Sequence, residues 1–121
     1  MLLHPARASS INLNPYTEQG TRPQFVENGD EITYTVTAVP EGTVANMYLY
    51  MSPEDNYYAE IIGADPETPN EYHFGLVSTG QVTVRFRNGD SNGRMLSIVA
   101  HDEIHTSQSH TPVVFDVAPE D

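Results

Sequence analysis

Residues 101–105 hold the side chains in this chain that are best suited to chemistry. They read His-Asp-Glu-Ile-His, so two imidazoles four positions apart enclose two carboxylates. On a helix this spacing would place both rings on one face, as in zinc proteases. That motif needs glutamate directly after the first histidine, and Asp102 stands there instead. The segment therefore departs from the zinc-protease pattern.

The sequence around these histidines predicts the end of a strand. On an extended strand, His101 and His105 would lie about 13 Å apart at about 3.3 Å per residue, too far to share one ion. A loop that folds back could bring them together, with His110 as a third ligand. We expect surface histidines here, with no metal ion and no cofactor.

Acidic clusters form a second candidate for chemistry. They occur at Glu54-Asp55, at Asp65 with Glu67, and at Asp90 with Asn92. A calcium ion needs six to eight oxygen ligands, and no segment supplies a complete, regularly spaced set. Because Asp and Asn favour turns, we expect solvated turn residues at these positions.

The chain carries no recognisable set of catalytic residues. It contains no cysteine nucleophile, and we expect neither a nucleophile elbow nor a phosphate-binding glycine loop. The histidines and carboxylates lack an indicated third partner. We predict that the protein is not an enzyme, and a metal-dependent enzyme is the remote alternative.

Length and composition favour one ordinary domain. The chain has 121 residues and no cysteine, which is close to the typical size of a single domain. No apolar run approaches the roughly 18 residues of a membrane span. A signal peptide would need a continuous apolar run of about 7–15 residues, and His4-Pro5 interrupts the N-terminal leucines. We expect a protein made in a cytoplasm and not exported by the general secretion route.

The charge is strongly acidic. The chain has 17 acidic residues and five basic ones, giving a formal net charge of −12. A field of this sign repels phosphate groups, so we expect neither nucleic acid nor an anionic membrane as a partner. Two interpretations of the acidity remain, namely solubility and adaptation to a salty medium.

Two-residue alternation of apolar and polar side chains predicts β-strands along most of the chain. In Glu31–Val39 the even positions are apolar or aromatic and three threonines occupy odd positions, as in a half-buried strand. Further strands are predicted at residues 46–51, 57–62, 71–77, 81–87, 94–100 and 111–118. Turn signals separate them at intervals typical of a sandwich. We predict an all-β, immunoglobulin-like antiparallel β-sandwich of seven or eight strands.

The N-terminal region differs from the rest of the chain in composition and periodicity. Residues 1–22 are polar, contain two prolines and lack sustained periodicity, which is typical of an extended arm. Residues 23–121 would then form the sandwich. Within the arm, Ile11 and Leu13 are two apart, which allows a short edge strand at Ser10–Asn14.

Apolar and aromatic side chains in the arm and in two strands are candidate interface residues. If Met47, Leu49 and Met51 fill the core, Tyr48 and Tyr50 point outward, where tyrosine suits a protein interface. Ordinary cross-strand pairing on an exposed sheet is the alternative. The full candidate set is Leu2, Leu3, Ile11, Leu13, Tyr16, Tyr48, Tyr50, Tyr57 and Tyr58.

Two stretches resemble bacterial immunoglobulin-like repeats. Residues 28–37, Asn-Gly-Asp-Glu-Ile-Thr-Tyr-Thr-Val-Thr, resemble the second strand of those repeats. Residues 96–102 and 111–117 are similar to their last hairpin. The resemblance covers residues 23–118. The chain departs from the best-known members of this fold. It lacks the cysteine pair and tryptophan of antibody domains, and Met95 and Leu96 stand in place of a corner tyrosine. It also has no cadherin calcium motifs.

The resemblance implies a binding or structural role. Small virion proteins of tailed bacteriophages often use such sandwiches, so we expect a capsid decoration (cement) or accessory virion protein that braces or coats neighbouring subunits. Its partners would be capsid or other virion subunits, its arm (residues 1–21) would brace them, and it would form a homo-oligomer in the virion after synthesis in the host cytoplasm. The alternative is an immunoglobulin-like binding module of a bacterial surface adhesin, located outside the cell or on its surface.

Overall fold

The computed structural model describes residues 5–16, 24–107 and 111–115. These residues form ten strands and one short 3-10 helix, Pro53–Tyr57. The strands are β1 (Ser10–Asn14), β2 (Gln24–Val26), β3 (Glu31–Val39), β4 (Ala45–Tyr50), β5 (Ala59–Ile61), β6 (Glu71–Val77), β7 (Thr79–Phe86), β8 (Val99–His101), β9 (Thr106–Ser107) and β10 (Val113–Phe115).

Sheet I consists of four antiparallel strands in the order β1-β3-β7-β5. Its centre is the pair β3 and β7, whose register places Thr33 opposite Thr83 and Thr37 opposite Thr79. On its other side β3 pairs with β1, and Ile11 lies opposite Ala38.

Sheet II also has four antiparallel strands, in the order β6-β4-β8-β9. Tyr48 in its central strand β4 lies opposite His73 on one side and His101 on the other. A separate parallel pair joins β2 to β10, with Phe25 opposite Val114.

One apolar core is shared by both sheets, which confirms the predicted all-β sandwich. Burial alternates along β3 and β7, so the apolar side chains of each strand point inward and the polar ones outward. β4 does the same for sheet II. The largest fully buried apolar side chains are Tyr34, Phe86, Phe115, Met47, Leu49, Met51, Leu96, Ile98, Val36, Val84 and Val113. The inward faces predicted for β3, β4 and β7 are therefore confirmed.

The short strand predicted at Ser10–Asn14 is present, and it corrects the expectation for the arm. Ile11 and Leu13 are only 5% and 2% exposed, because β1 completes sheet I beside β3 and turns both side chains into the core. Their prediction as interface residues was wrong. The sandwich therefore begins before residue 23, and Arg7 already forms a parallel β-bridge with Val44.

Three predicted strands are shorter than expected. Residues 53–57 form the 3-10 helix, begun by Pro53 at its first turn, so the strand predicted at 57–62 is reduced to β5. Of the strand predicted at 94–100, only its last two residues lie in β8, although burial still alternates from residue 95 to residue 101. The strand predicted at 111–118 is β10, and residues 116–118 lie outside the described residues.

Two buried hydroxyl groups stand out in the core. Tyr34 and Thr111 are fully buried, and neither hydroxyl meets hydrogen-bond geometry with any partner in the described structure. Burial raises the pKa of Tyr34 far above its usual range, although the nearby Thr111 hydroxyl acts in the opposite direction. The Tyr34 phenol therefore stays neutral and contributes mainly through the packing of its ring.

Replacing Leu13 tests the correction to the arm. Leu13→Ala removes a buried side chain, so we expect a loss of about 2–4 kcal/mol in the free energy of unfolding, measured by denaturant titration. Asn12→Ala, on the exposed face of the same strand, should change it by less than about 0.5 kcal/mol. Equal effects of the two variants would mean that β1 does not belong to the core.

Replacing Tyr34 tests the buried hydroxyls. Tyr34→Phe keeps the ring and removes a buried hydroxyl that lacks a well-formed hydrogen bond, so the melting temperature should stay the same or rise. Thr111→Val is the matched change at the second hydroxyl, with the same expectation. A loss of more than about 1.5 kcal/mol in either variant would show that the hydroxyl has a strong partner after all.

Candidate protein-binding face

A row of stacked rings crosses the outer side of sheet II. The Tyr48 ring lies 4.9 Å from the His73 ring at 18° and 5.2 Å from the His101 ring at 19°, measured between ring centroids. Tyr50 meets His101 edge to face, with 6.0 Å between the centroids. The β4 register produces this row, because it sets Tyr48 directly between the two histidines.

Stacking determines which parts of these rings can meet a partner. Both faces of the Tyr48 ring are covered by imidazoles, so the ring edges remain for contact with other molecules. Tyr48, Tyr50 and His101 are half-buried and His73 is exposed. The neighbouring rings restrict the rotation of each side chain. The row is therefore ordered before any partner arrives.

Two apolar side chains occur in and just before β8, the strand that carries His101. Val99 lies opposite Tyr50 and is half-buried. In the segment before β8, Met95 is 63% exposed and its neighbour Leu96 is buried. We call the set Tyr48, Tyr50, His73, Val99 and His101 the aromatic face. Tyrosine side chains grouped on an outward sheet face in this way are typical of protein interfaces.

Polar groups border the aromatic face. The Glu71 carboxylate lies 3.0 Å from Nε2 of His73. The Asn46 amide donates a hydrogen bond of 2.9 Å to Glu103. Both carboxylates at this border, Glu71 and Glu103, therefore have a side-chain partner. An apolar centre with a polar rim is the usual anatomy of a protein interface.

The structure separates the predicted tyrosines into two groups. Tyr48 and Tyr50 point outward on the aromatic face, as their alternation with Met47 and Leu49 predicts. Tyr57 lies in the 3-10 helix, is 62% exposed, and packs edge to face on Tyr58. The histidine neighbours were missed, because the pairing of β4 with β6 and β8 is not visible in local periodicity.

Tyr58 has a role inside the domain. Its ring is half-buried, lies 6.1 Å from that of Phe115, and is covered by the Arg94 guanidinium at 5.1 Å. Arg94 also pairs with the buried carboxylate of Asp55 at 3.0 Å. These contacts tie the 3-10 helix to the segment before β8. Tyr58 is therefore a packing residue in this fold.

The remaining candidates lie at the N-terminus. Tyr16 is 53% exposed and follows β1 by two residues. Leu2 and Leu3 lie outside the described residues. Of the candidates predicted in the arm, Tyr16 is the one that the described structure places at the surface.

The two histidines of residues 101–105 have separate surroundings. His101 belongs to β8, whereas His105 closes a turn in which the Asp102 amide donates to the His105 carbonyl oxygen at 3.0 Å. Nδ1 of His105 contacts the Asp102 carboxylate at 3.0 Å. Within the described residues, no group of three or more histidines and carboxylates could hold a metal ion. His110, the third ligand considered, lies outside them.

Asp102 organises this turn. Its carboxylate accepts hydrogen bonds from the backbone amides of Ile104 and His105 as well as from the His105 ring. Burial opposes ionisation of Asp102, but these hydrogen bonds outweigh it and lower its pKa below the usual value. A cleft of about 160 Å³ lies beside the turn and is also lined by Arg7 and Asn46.

Residues 89–93, Gly-Asp-Ser-Asn-Gly, match the G-x-S-x-G pattern of a nucleophile elbow. A nucleophile elbow is a sharp turn between a strand and a helix. Here the stretch is an exposed turn after β7, and no helix follows it in the described residues up to 107. The Gly93 amide donates to the Asp90 carbonyl oxygen at 3.2 Å. The pattern therefore lacks the structural context of an elbow.

Comparisons with known proteins assign no family. None of the protein-family models matches the chain, and no curated protein is significantly similar to it. In the part of the chain that the structure describes, no helix has the length and apolar character needed to cross a membrane.

The turn at Asp102 should make stability depend on pH. Because the pKa of Asp102 is lower in the folded chain than the usual value of about 3.9, its ionised form stabilises the fold above about pH 5. This contribution is lost as the pH falls through the folded pKa. Asp102→Asn should lower the free energy of unfolding by about 1–2 kcal/mol at pH 7. The difference in melting temperature between this variant and wild type should decrease towards pH 3.

The control is Glu67→Gln, an exposed acid in another loop. The difference in melting temperature between this control variant and wild type should stay small throughout this pH range. An Asp102→Asn gap that is constant from pH 7 to pH 3 would contradict the role given to the carboxylate.

Proposed function

We propose that this chain is a non-enzymatic structural protein that binds neighbouring protein subunits through the aromatic face. Its setting would be the virion of a tailed bacteriophage, as a capsid decoration (cement) or accessory protein. The observation that carries the proposal is the stacked row of His73, Tyr48 and His101. This row lies on the outer side of sheet II, away from the core.

The chemistry of the row supports protein binding. Tyrosine and histidine each combine an apolar body with a polar tip, which suits partly wet interfaces. Binding costs about 0.5–1.5 kcal/mol for each flexible side chain that becomes fixed. Stacked rings are already restrained, so this cost is reduced for Tyr48. Such a face can bind well with a modest contact area.

The charge of the chain bears on the choice of partner. With a net charge of −12, the protein should associate fastest with surfaces that present lysine and arginine. Two identical copies would repel each other through their acidic surfaces, so a contact between them must consist mainly of uncharged groups. The aromatic face offers such a contact, since its own members are uncharged aromatic, imidazole and aliphatic side chains, and the bordering acids Glu71 and Glu103 contact His73 and Asn46 respectively. Both a capsid subunit and a second copy are therefore compatible partners.

The resemblance to immunoglobulin-like repeats supports the virion setting and also the alternative. A module of this kind in a bacterial surface adhesin would use the same face on a host protein. The two settings differ in where the protein resides. Localisation therefore discriminates between them.

Fractionation of the native source tests the proposal. A lysate that contains phage particles is separated on a density gradient, and the chain is detected with an antibody raised against it. We expect the chain to travel with the particles at a constant ratio to the main coat protein. Recovery in the cell-envelope fraction would favour the adhesin instead, and recovery as a free monomer would contradict both settings.

Paired variants connect the localisation to the aromatic face. Tyr48→Ala/Tyr50→Ala should reduce the bound fraction about tenfold or more, because central aromatic contacts dominate interface energies. Tyr57→Ala is the matched control, as it removes an exposed tyrosine elsewhere. The melting temperature of each variant verifies folding, and undiminished binding of the folded double variant would rule out the aromatic face.

A further inference from the structure

Three asparagines in this chain stand directly before a glycine, at Asn28-Gly29, Asn88-Gly89 and Asn92-Gly93. Asparagine in this position is prone to deamidation, because glycine has no side chain to shield its backbone nitrogen from the asparagine amide carbon. All three asparagines are exposed. Neither the sequence nor exposure therefore distinguishes them, but their hydrogen bonds do.

Deamidation needs only water as a co-reactant. The glycine N–H gives its proton to solvent, and its nitrogen bonds to Cγ of the asparagine. The bond from Cγ to the side-chain nitrogen breaks, and that nitrogen leaves as ammonia with a proton from solvent. Water then opens the cyclic imide at either of its carbonyl carbons. One opening yields aspartate, and the other yields isoaspartate, whose main chain runs through the former side-chain carbon.

Both reacting groups are held at Asn28. The Gly29 amide donates to the Phe86 carbonyl oxygen at 2.8 Å, next to the paired residues of β3 and β7. Oδ1 of Asn28 accepts a hydrogen bond of 2.9 Å from the Gly89 amide. The nucleophilic nitrogen and the side-chain amide are thus bonded to other groups, and both hydrogen bonds must open before the ring can form.

Asn88 is held by the same contact and by one more. The amide of Gly89, which would be its nucleophile, is the donor to Asn28. The side-chain amide of Asn88 donates to the Tyr57 carbonyl oxygen. One hydrogen bond therefore occupies the side chain of Asn28 and the nucleophile of Asn88 together, so the two turns protect each other.

Asn92 differs from both. Its side chain has no hydrogen bond to any described part of the chain. The Asn92 backbone amide donates to the Asp90 carboxylate at 2.9 Å, and the Gly93 amide donates to the Asp90 carbonyl oxygen at 3.2 Å. Both contacts lie within one turn, and neither restrains Cγ. Local opening of an exposed turn needs less free energy than opening of paired strands.

The products would alter the contact of this turn with β10. A Cβ atom on Gly93 would lie 3.1 Å from the Phe115 carbonyl oxygen and from Cγ1 of Val114, so the Gly93 backbone packs closely against β10. Isoaspartate adds an atom to the main chain directly before Gly93. Both products add a negative charge near Asp90.

We infer that Asn92 is the site at which this protein deamidates spontaneously, while hydrogen bonds protect Asn28 and Asn88. The reaction is a slow, irreversible change of charge and backbone at one turn. It is independent of protein binding by the aromatic face, because the turn follows β7 of sheet I.

Peptide mapping of the aged protein tests the inference. The purified full chain is kept in mildly alkaline buffer, and samples taken at intervals are digested and analysed by mass spectrometry, with chromatography separating aspartate from isoaspartate. We expect Asn92 to react about fivefold faster or more than Asn28 and Asn88. At those two sites a held side chain must also be released, and a hydrogen bond contributes a factor of about 2–10.

The same incubation in concentrated urea is the control, because glycine follows each asparagine in the unfolded chain. The three rates should then become similar. Equal rates in the folded chain, a faster reaction at Asn28 or Asn88, or an unchanged ratio in urea would each overturn the inference.

Two variants test the mutual protection. Asn28→Ala removes the acceptor of the Gly89 amide and should raise the rate at Asn88 about threefold or more, with the rate at Asn92 unchanged. Asn28→Asp is the matched control, since its carboxylate can still accept this hydrogen bond and should keep Asn88 protected. Melting temperatures verify that both variants fold. An unchanged rate at Asn88 in folded Asn28→Ala would contradict the protection assigned to this hydrogen bond.

Discussion

The strict alternation of buried and exposed side chains around one core is the constraint on which the rest of this structure depends. β3 and β7 from sheet I and β4 from sheet II each give every second side chain to that core. A shift of one residue in any strand would exchange its two faces. Only the inward side chains pack in the core. The outward side chains are therefore not constrained by core packing and can take part in binding.

The two outer sides of the sandwich use this freedom differently. Sheet II carries the aromatic face, where Tyr48 is held between two histidines. Sheet I carries outward threonines instead, where Thr33 shares a hydrogen bond with Thr83 and Thr35 accepts one from Gln81. The ion pair of Arg85 with Glu31 lies at one end of this sheet and is exposed. Such an exposed pair adds little stability, so the fold depends mainly on the core.

Local periodicity was sufficient to predict several elements. The bounds of β3 and β6, and even the short β1, follow from two-residue alternation and turn residues. The position of β1 in the sandwich could not be predicted in this way. Whether Ile11 and Leu13 face a partner or their own core depends on the pairing of β1 with β3, which is distant in the sequence. The His73–Tyr48–His101 row was hidden for the same reason. The turn at Asp102 depends on side-chain hydrogen bonds that periodicity does not report.

The central claim is that the aromatic face contacts other protein subunits. Hydroxyl-radical footprinting of the chain, free in solution and within its native assembly, tests this claim most directly. The account predicts that Tyr48 and Tyr50 are oxidised in the free chain and strongly protected in the assembly, while Tyr57 is oxidised equally in both. Unchanged oxidation of Tyr48 and Tyr50 in the assembly would contradict it.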